Sequence, residues 1–364
     1  MRIAYDYQIF CAQTVGGISR YIAKLAALIG ELNDVRVVAP LHQNQYLLDS
    51  PRGLVYGKGI LRYPAKTSRI LNAVNFHLSK RFMRSWHPDV VHETFYSAIP
   101  TGPTGTPTIL TVYDMIDELF PAQNSGQFIE AKKKAIDRAE HIITISDSTK
   151  TDLVNILHID QNKISTVYLG FDKYKREINN EYYSTCIQYP FLLYVGARGG
   201  YKNFYNFLQA YAQSIALKKN MNVVAFGGGK FTGKELQLIC KLGLSENQVL
   251  QVSGDDLTLG EYYSKAVAFV YPSLYEGFGL PPLEAMAHDC PVVSSDTSSM
   301  PEVIGNAAAF FNPYSIDDMT NSIESVVFSQ DRKSSLIKFG RKRLEFFSWN
   351  KCASETFEIY KKLG

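Results

Sequence analysis

Two glutamates, Glu276 and Glu284, stand with seven residues between them in the stretch YPSLYEGFGLPPLEAMAHDCPVVSSD, residues 271–296. An apolar strand is expected to end at Tyr271, a helix to start near Leu280, and a second apolar strand to cover Pro291 to Ser295. Gly277 and Gly279 leave the intervening backbone bare enough for a ligand to lie against it. Pro281 and Pro282 fall in the first helical turn, where a missing N–H costs least. The helix start then offers N–H groups and the positive end of a dipole. Such a loop suits an anionic ligand that also carries hydroxyls, with a phosphate at the helix end and a sugar or ribose at the carboxylates. On spacing alone, the glutamates fit a cap or a dipole partner as well.

A cationic turn follows another apolar run. Phe191 to Val195 leads into GARGGYKNF, residues 196–204, where Arg198 and Lys202 project beyond the strand. A guanidinium fork and an ammonium point charge suit a diphosphate, although a solvated basic loop is the plainer use of such residues. Gly16 and Gly17 follow the first strand and precede a helix, where bare backbone can approach a phosphate or a sugar. Asp114 closes the run Thr111-Val112-Tyr113, and His92 and Glu93 sit at another strand end, where an ordinary loop role fits equally well. Ser146 reads as a helix cap. Other chemistries lack their residues. There is no GxSxG, no cysteine in a persuasive site with a nearby histidine, and no GxGxxG after the first strand. No two aspartates stand with a single residue between them, Asp-x-Asp, to hold Mg²⁺ or Mn²⁺ on a diphosphate, so no metal is expected.

The string EGFGLPPLEAMA and the later Ser298–Val303 stretch (SSMPEV) resemble the Glu–x7–Glu signature of retaining glycosyltransferase family 4, in particular its mannosyltransferase B-like branch. The resemblance implies the α/β GT-B fold: two Rossmann-like doubly wound domains facing each other across a cleft, with the C-terminal helix crossing back to the first. It implies that Glu284 binds the ribose hydroxyls and Glu276 the donor sugar. The backbone of Gly277, Phe278, Gly279 and Leu280 would hold sugar and phosphate. Arg198, Lys202 and Asn203 match the family's Arg and Lys-Asn pair, and the two cations would stabilise the leaving diphosphate. Gly16 and Gly17 match its Gly-Gly and join the implied donor-binding set. Many members have His-Asp where this chain has Tyr113-Asp114, so the histidine's role is not carried over, and Asp114 is the candidate for orienting a hydroxyl. The implied catalytic set is Glu276, Arg198, Lys202 and Asp114. The implied reaction is metal-independent transfer of mannose from GDP-mannose to a glycan or lipid-linked oligosaccharide in O-antigen or capsule-type synthesis. Alternatives are a UDP-sugar-dependent member, a GT-B nucleotide-sugar epimerase or hydrolase, and a catalytically silent GT-B glycan-binding protein.

The elements that must position these residues alternate short apolar runs with amphipathic stretches, the pattern of βα units around parallel sheets. In the first half, strands are expected at Ile3–Tyr7, Val35–Ala39, Val90–His92, Thr108–Val112, Ile142–Ile145 and Val167–Phe171. Helices are expected near Ile18–Gly30, Phe128–Ala139 and Ser148–Leu157. In the second, strands are expected at Phe191–Val195, Val223–Phe226, Val249–Val252, Ala268–Tyr271, Val292–Ser294 and Ala308–Phe311. The domains are expected at 1–172 on the acceptor side and 189–347 on the donor side, with a polar linker at 173–188. A helix over 348–364 is expected to return to the first domain.

With 364 residues, two domains are comfortable, and a net charge of +3 gives no footprint for nucleic acid. Five scattered cysteines imply a reducing compartment. Asp6 sits where a signal peptide would be apolar, and no run is long enough to span a bilayer, so a cytoplasmic or peripheral membrane location is expected. Residues 52–84 contain eight basic side chains and no acidic one. On a helix from Ser68 to Trp86, Arg69, His77, Lys80 and Arg84 share a stripe, and Ile70, Val74, Leu78 and Phe82 share another, expected to pack inward. Lys80, Arg81 and Arg84 are the candidate contacts to anionic lipid.

Overall fold

The computed structural model describes residues 1–121, 126–172 and 189–364. The chain divides into two units, Met1–Gly170 with Phe347–Gly364, and Phe171–Phe346. The expected linker at 173–188 lies outside the described residues.

Each unit is built on one parallel sheet. In the first, β1 (Arg2–Tyr5), β2 (Asp34–His42), β3 (Val55–Gly59), β4 (Val90–Glu93), β5 (Thr108–Val112), β6 (His141–Thr144) and β7 (Ile164–Thr166) lie in the order β3-β2-β1-β4-β5-β6-β7. In the second, β8 (Phe191–Val195), β9 (Asn222–Phe226), β10 (Val249–Val252), β11 (Ala268–Tyr271), β12 (Val292–Ser295) and β13 (Ala308–Phe311) lie in the order β10-β9-β8-β11-β12-β13. The central strands are apolar on both faces because helices cover both. In the second unit, Leu192, Val223, Val270 and Val293 are buried with Phe204, Phe207 and Tyr211 from the adjoining helix. The chain leaves β1 and β4, and likewise β8 and β11, in opposite directions. Each such switch point opens a crevice beyond the strand ends where ligands of open α/β sheets bind.

Two elements differ from the reading of the sequence. The strand expected at Val167–Phe171 ends earlier, as β7, and the chain beyond Thr166 is irregular. The strand β3 carries no apolar alternation, because as an edge strand it is largely exposed. Its Gly57 is required by close approach, since a Cβ there would lie 1.8 Å from the Ala39 carbonyl oxygen.

The C-terminal helix Trp349–Lys361 belongs to the first unit and packs against the helix Gly17–Gly30. Gly170 makes room for it, as a Cβ there would meet Trp349 at 2.4 Å. A buried polar chain fastens it to three strands. The hydroxyls of Tyr5 and Tyr360 are 2.9 Å apart, Tyr360 meets His92 Nδ1 at 2.5 Å, and His92 Nε2 meets Thr111 Oγ1 at 2.8 Å. Burial pushes the His92 imidazole down to about 3, so it stays neutral and both nitrogens serve this chain. Tyr360→Phe leaves Tyr5 and His92 short of a partner in the core. It should cost about 1–3 kcal/mol in denaturant unfolding of the first unit.

Candidate functional site

In the second unit the loop after β11 is held almost entirely by borrowed hydrogen bonds. Ser295 Oγ donates to the Ser273 carbonyl at 2.6 Å and Thr297 Oγ1 to that of Leu274 at 2.9 Å. Ser298 Oγ donates to the Glu276 carbonyl at 2.7 Å, and Ser299 Oγ lies 2.8 Å from that carbonyl and 2.9 Å from that of Phe278. Asn203, left-handed at φ 59°, donates through its side-chain amide to Pro272 at 3.0 Å and Pro313 at 2.9 Å. The Tyr201 carbonyl accepts from the Leu274 N–H at 2.7 Å. Residues at and after the ends of β8 and β12 thus hold the backbone on either side of Gly277, and Gly277, Phe278 and Gly279 are all buried. Gly279 takes φ 101°, which only glycine adopts cheaply, and opens the helix Leu280–Ala287. Pro281 and Pro282 remove two of the start's four N–H groups that lack an intrahelical partner, so those of Gly279 and Leu280 remain.

Lys202 and Glu276 meet here. The Lys202 ammonium donates to Glu276 Oε1 at 2.7 Å, with the two side chains 22% and 10% exposed, so the pair reaches the surface without being freely solvated. Burial, and then the nearby Glu276 carboxylate, push the Tyr271 phenol well above its ordinary value, so it stays a proton donor beside that glutamate. Glu284, half-buried one turn into the helix, accepts from the Tyr263 hydroxyl at 3.3 Å.

Arg198 faces elsewhere. It is buried, and its Nε donates to Glu235 at 2.6 Å. Its terminal nitrogens lie 2.8 Å from the Gly227 carbonyl, 2.9 Å from that of Gly229 and 3.1 Å from that of Lys230, and its guanidinium lies 4.9 Å from the Phe231 ring. Three successive left-handed glycines, 227 to 229, aim those carbonyls at it. Glu235 also caps its own helix through Thr232, whose N–H donates at 2.6 Å and hydroxyl at 2.8 Å. Burial alone would raise the Glu235 carboxyl, but Arg198 and Thr232 outweigh it and hold the group below its ordinary range.

The first unit carries the remaining candidates. Gly16 and Gly17 begin the helix Gly17–Gly30, with Gly17 in open space and the Gln13 side chain folded under Gly16, where its Oε1 accepts from the Ser19 N–H at 3.2 Å. Asp114 Oδ1 accepts from the Ile116 N–H at 3.1 Å, and its carbonyl takes the buried Lys132 ammonium at 2.8 Å. Burial raises the Asp114 carboxyl above its ordinary value. Tyr113 is buried and donates to the Thr94 carbonyl at 3.0 Å. Glu93 is buried and paired with Arg138, and it shares Thr101 with Asp6, whose oxygens lie 3.2 Å and 2.8 Å from that hydroxyl.

Residues 187–343 match the family described as glycosyl transferases group 1, and residues 15–174 match glycosyltransferase family 4. The chain is 30% identical over 256 residues to the O-antigen chain mannosyltransferase B of Escherichia coli, covering 68% of this chain and 67% of that one. This chain belongs to glycosyltransferase family 4. It is 27% identical over 327 residues to the O-antigen chain mannosyltransferase RfbU of Salmonella typhimurium, over 85% of this chain and 87% of that one. In fold it is similar to sucrose-phosphate synthase from Thermosynechococcus elongatus, with a TM-score of 0.73 at 18% identity, over all of this chain and 98% of that one. Two parallel-sheet Rossmann-like units and these neighbours make the fold GT-B.

As a family 4 glycosyltransferase, the chain groups its sequence candidates unevenly. Lys202, Asn203 and Glu276 come together with the Gly277–Leu280 backbone, and Glu284 stands on the helix that follows. Arg198 is engaged within its own glycine loop, while Gly16, Gly17 and Asp114 lie in the other unit. The hydroxyls of Ser295, Thr297 and Ser299 were not singled out from sequence, although SSDTSS at a strand end is a visible cluster of short hydroxyl side chains. Glu235 gave no such signal beyond its capping box, Thr-x-x-Glu.

Two predictions follow from the buried charges. Arg198→Ala leaves Glu235 buried without its cation, so it should cost the second unit about 3–5 kcal/mol in denaturant unfolding. Adding Glu235→Gln should recover part of that loss. Burial first, then the Asp6 charge, push Glu93 from 4.5 to about 7. A raised folded-state value means stability fully present below the unfolded value and lost as pH rises through the folded one. Between about pH 5 and 8 the wild type should therefore lose about 1–3 kcal/mol relative to Glu93→Gln, read from urea unfolding across that range.

Proposed function

We propose that this enzyme transfers mannose from GDP-mannose, with retention, to a glycan of a bacterial surface polysaccharide, and that it does so without a metal. The observation that carries the catalytic part is the Lys202–Glu276 pair, 2.7 Å apart beside the N-terminus of the helix Leu280–Ala287. The donor replaces that internal pairing. Lys202 turns to the diphosphate, the N–H groups of Gly279 and Leu280 share its charge, and Glu276 accepts from hydroxyls of the sugar. Glu284 takes the ribose. Arg198 serves by holding the Gly227–Gly229 loop, so the developing negative charge falls to Lys202 and the helix end.

The bond between the anomeric carbon and the diphosphate oxygen breaks as the acceptor oxygen bonds to the same face. A diphosphate oxygen receives the acceptor's proton. Positioning and charge stabilisation therefore supply the rate. The two relatives named as O-antigen chain mannosyltransferases support mannose and a surface glycan as substrates. Gly16 and Gly17 are proposed as donor contacts and Asp114 as the group that orients a hydroxyl. A lipid-linked acceptor would keep the enzyme at the inner face of the plasma membrane as a peripheral protein, and among the described residues no helix is long and apolar enough to cross a membrane.

A thermal-shift panel of GDP, UDP, ADP and dTDP and their sugars, in EDTA, tests the reading on wild type, Lys202→Ala and Glu276→Gln. GDP and GDP-mannose should stabilise wild type by about 2.7 kcal/mol at a hundredfold excess over Kd. Lys202→Ala should lose the shift and about 10²-fold or more in kcat/KM. Glu276→Gln should keep the GDP shift and lose the increment due to the sugar. A UDP shift would retain the enzyme class and discard mannose. Turnover abolished by EDTA would end the metal-free reading, and donor turnover without acceptor would favour a hydrolase.

A further inference from the structure

The basic helix Ser68–Trp86 meets the first sheet through a narrow face of Asn75, Ser79 and Met83, with Phe82 and Trp86 beside them. Asn75 sets its rotation. The Asn75 side-chain amide donates to the Leu41 carbonyl at 2.9 Å and its Oδ1 accepts from the Leu41 N–H at 2.8 Å. This overturns the inward packing expected of the apolar stripe. Ile70, Val74 and Leu78 face outward, 66%, 36% and 40% exposed, while Phe82 turns in to stack on Tyr56. At four-residue spacing the three form a continuous exposed apolar row.

Beside that row the same outer face carries positive charge. A surface groove of about 670 Å³ is lined by Phe76, His77, Lys80, Arg81, Arg84 and Ser85. Among the described residues, none of the eight basic side chains of 52–84 is paired with a carboxylate. Just ahead of the helix Leu61 is 99% exposed next to Arg62.

We propose that this face docks on an anionic phospholipid bilayer, with Lys80, Arg81 and Arg84 at the level of the phosphates and Ile70, Val74 and Leu78 in the acyl boundary. The pairing of the two features argues for lipid. A nucleic acid would satisfy the cations and leave the apolar row in water, whereas a bilayer surface accommodates both at adjacent depths. The inference is independent of the donor and of the sugar transferred.

Flotation with phosphatidylcholine vesicles, with and without phosphatidylglycerol, tests it. Wild type should float only with the anionic vesicles. K80E/R81E/R84E should weaken binding by about two orders of magnitude or more. The milder K80Q/R84Q should fall between, in case the reversed charges disturb folding. I70S/V74S/L78S should weaken binding about tenfold or more and leave a residue that high salt removes. All variants should keep the wild-type nucleotide thermal shift, whose loss in the wild type would bear on the catalytic reading alone. The proposal is overturned if wild type does not float, if K80E/R81E/R84E or I70S/V74S/L78S floats like wild type, or if wild type retains single-stranded RNA and ignores the vesicles.

Discussion

A buried loop that turns on glycines makes no regular backbone ladder to satisfy its carbonyls, and an unsatisfied buried carbonyl is costly. The Pro272–Phe278 backbone meets that requirement through hydroxyls supplied from the end of β12 onward, and through Asn203 after β8. Everything proposed for the donor depends on this. The bare backbone of Gly277 and Gly279 is useful only if it is rigid, and it is rigid because Ser295, Thr297, Ser298 and Ser299 hold it from outside. Parallel topology makes the arrangement possible, since it delivers the ends of β8, β11, β12 and β13 to one edge of the sheet.

The same edge sorts two cations by exposure. Arg198, with five donors in a rigid fork, is spent on a ring of carbonyls and one carboxylate. Lys202, a single point charge on a flexible stem, is left at the surface with Glu276. A planar donor suits a fixed scaffold, and a mobile ammonium suits a ligand that comes and goes. The Lys202–Glu276 pair, 2.7 Å apart, leaves neither charge unpaired.

The first unit places its polar groups differently. Asp6, Glu93, Thr101 and Arg138 fill the end of the β1–β4 switch point from inside, and His92 with Tyr5, Tyr360 and Thr111 forms a second neutral network beneath it. Burial first, and then the Asp6 carboxylate with which it shares the Thr101 hydroxyl, disfavour the ionised form of Glu93 and push its carboxyl up to about 7.

Much of this was legible beforehand. Central strands buried on both faces are near-continuous apolar runs, so β5, β8 and β11 could be placed to the residue, and the edge strands β10 and β13 and the helix Ser68–Trp86 also fall where their apolar spacing put them. The loop from Tyr271 to Leu280 declared itself because its glycines, prolines and carboxylates have few other reasons to be adjacent. What the linear chain could not determine were the properties that need a neighbour. Arg198 and Lys202 are equally basic in sequence, and only the carbonyls of a distant glycine loop and the carboxylate of Glu235 separate scaffold from surface. Ile70, Val74 and Leu78 have the spacing of a core stripe, and only the Asn75–Leu41 hydrogen bonds, which set the helix's rotation, turn them toward solvent. Composition and periodicity decide which residues share an element. Which partner each side chain meets is decided by packing across the chain, because hydrogen bonds and burial are properties of pairs far apart in sequence.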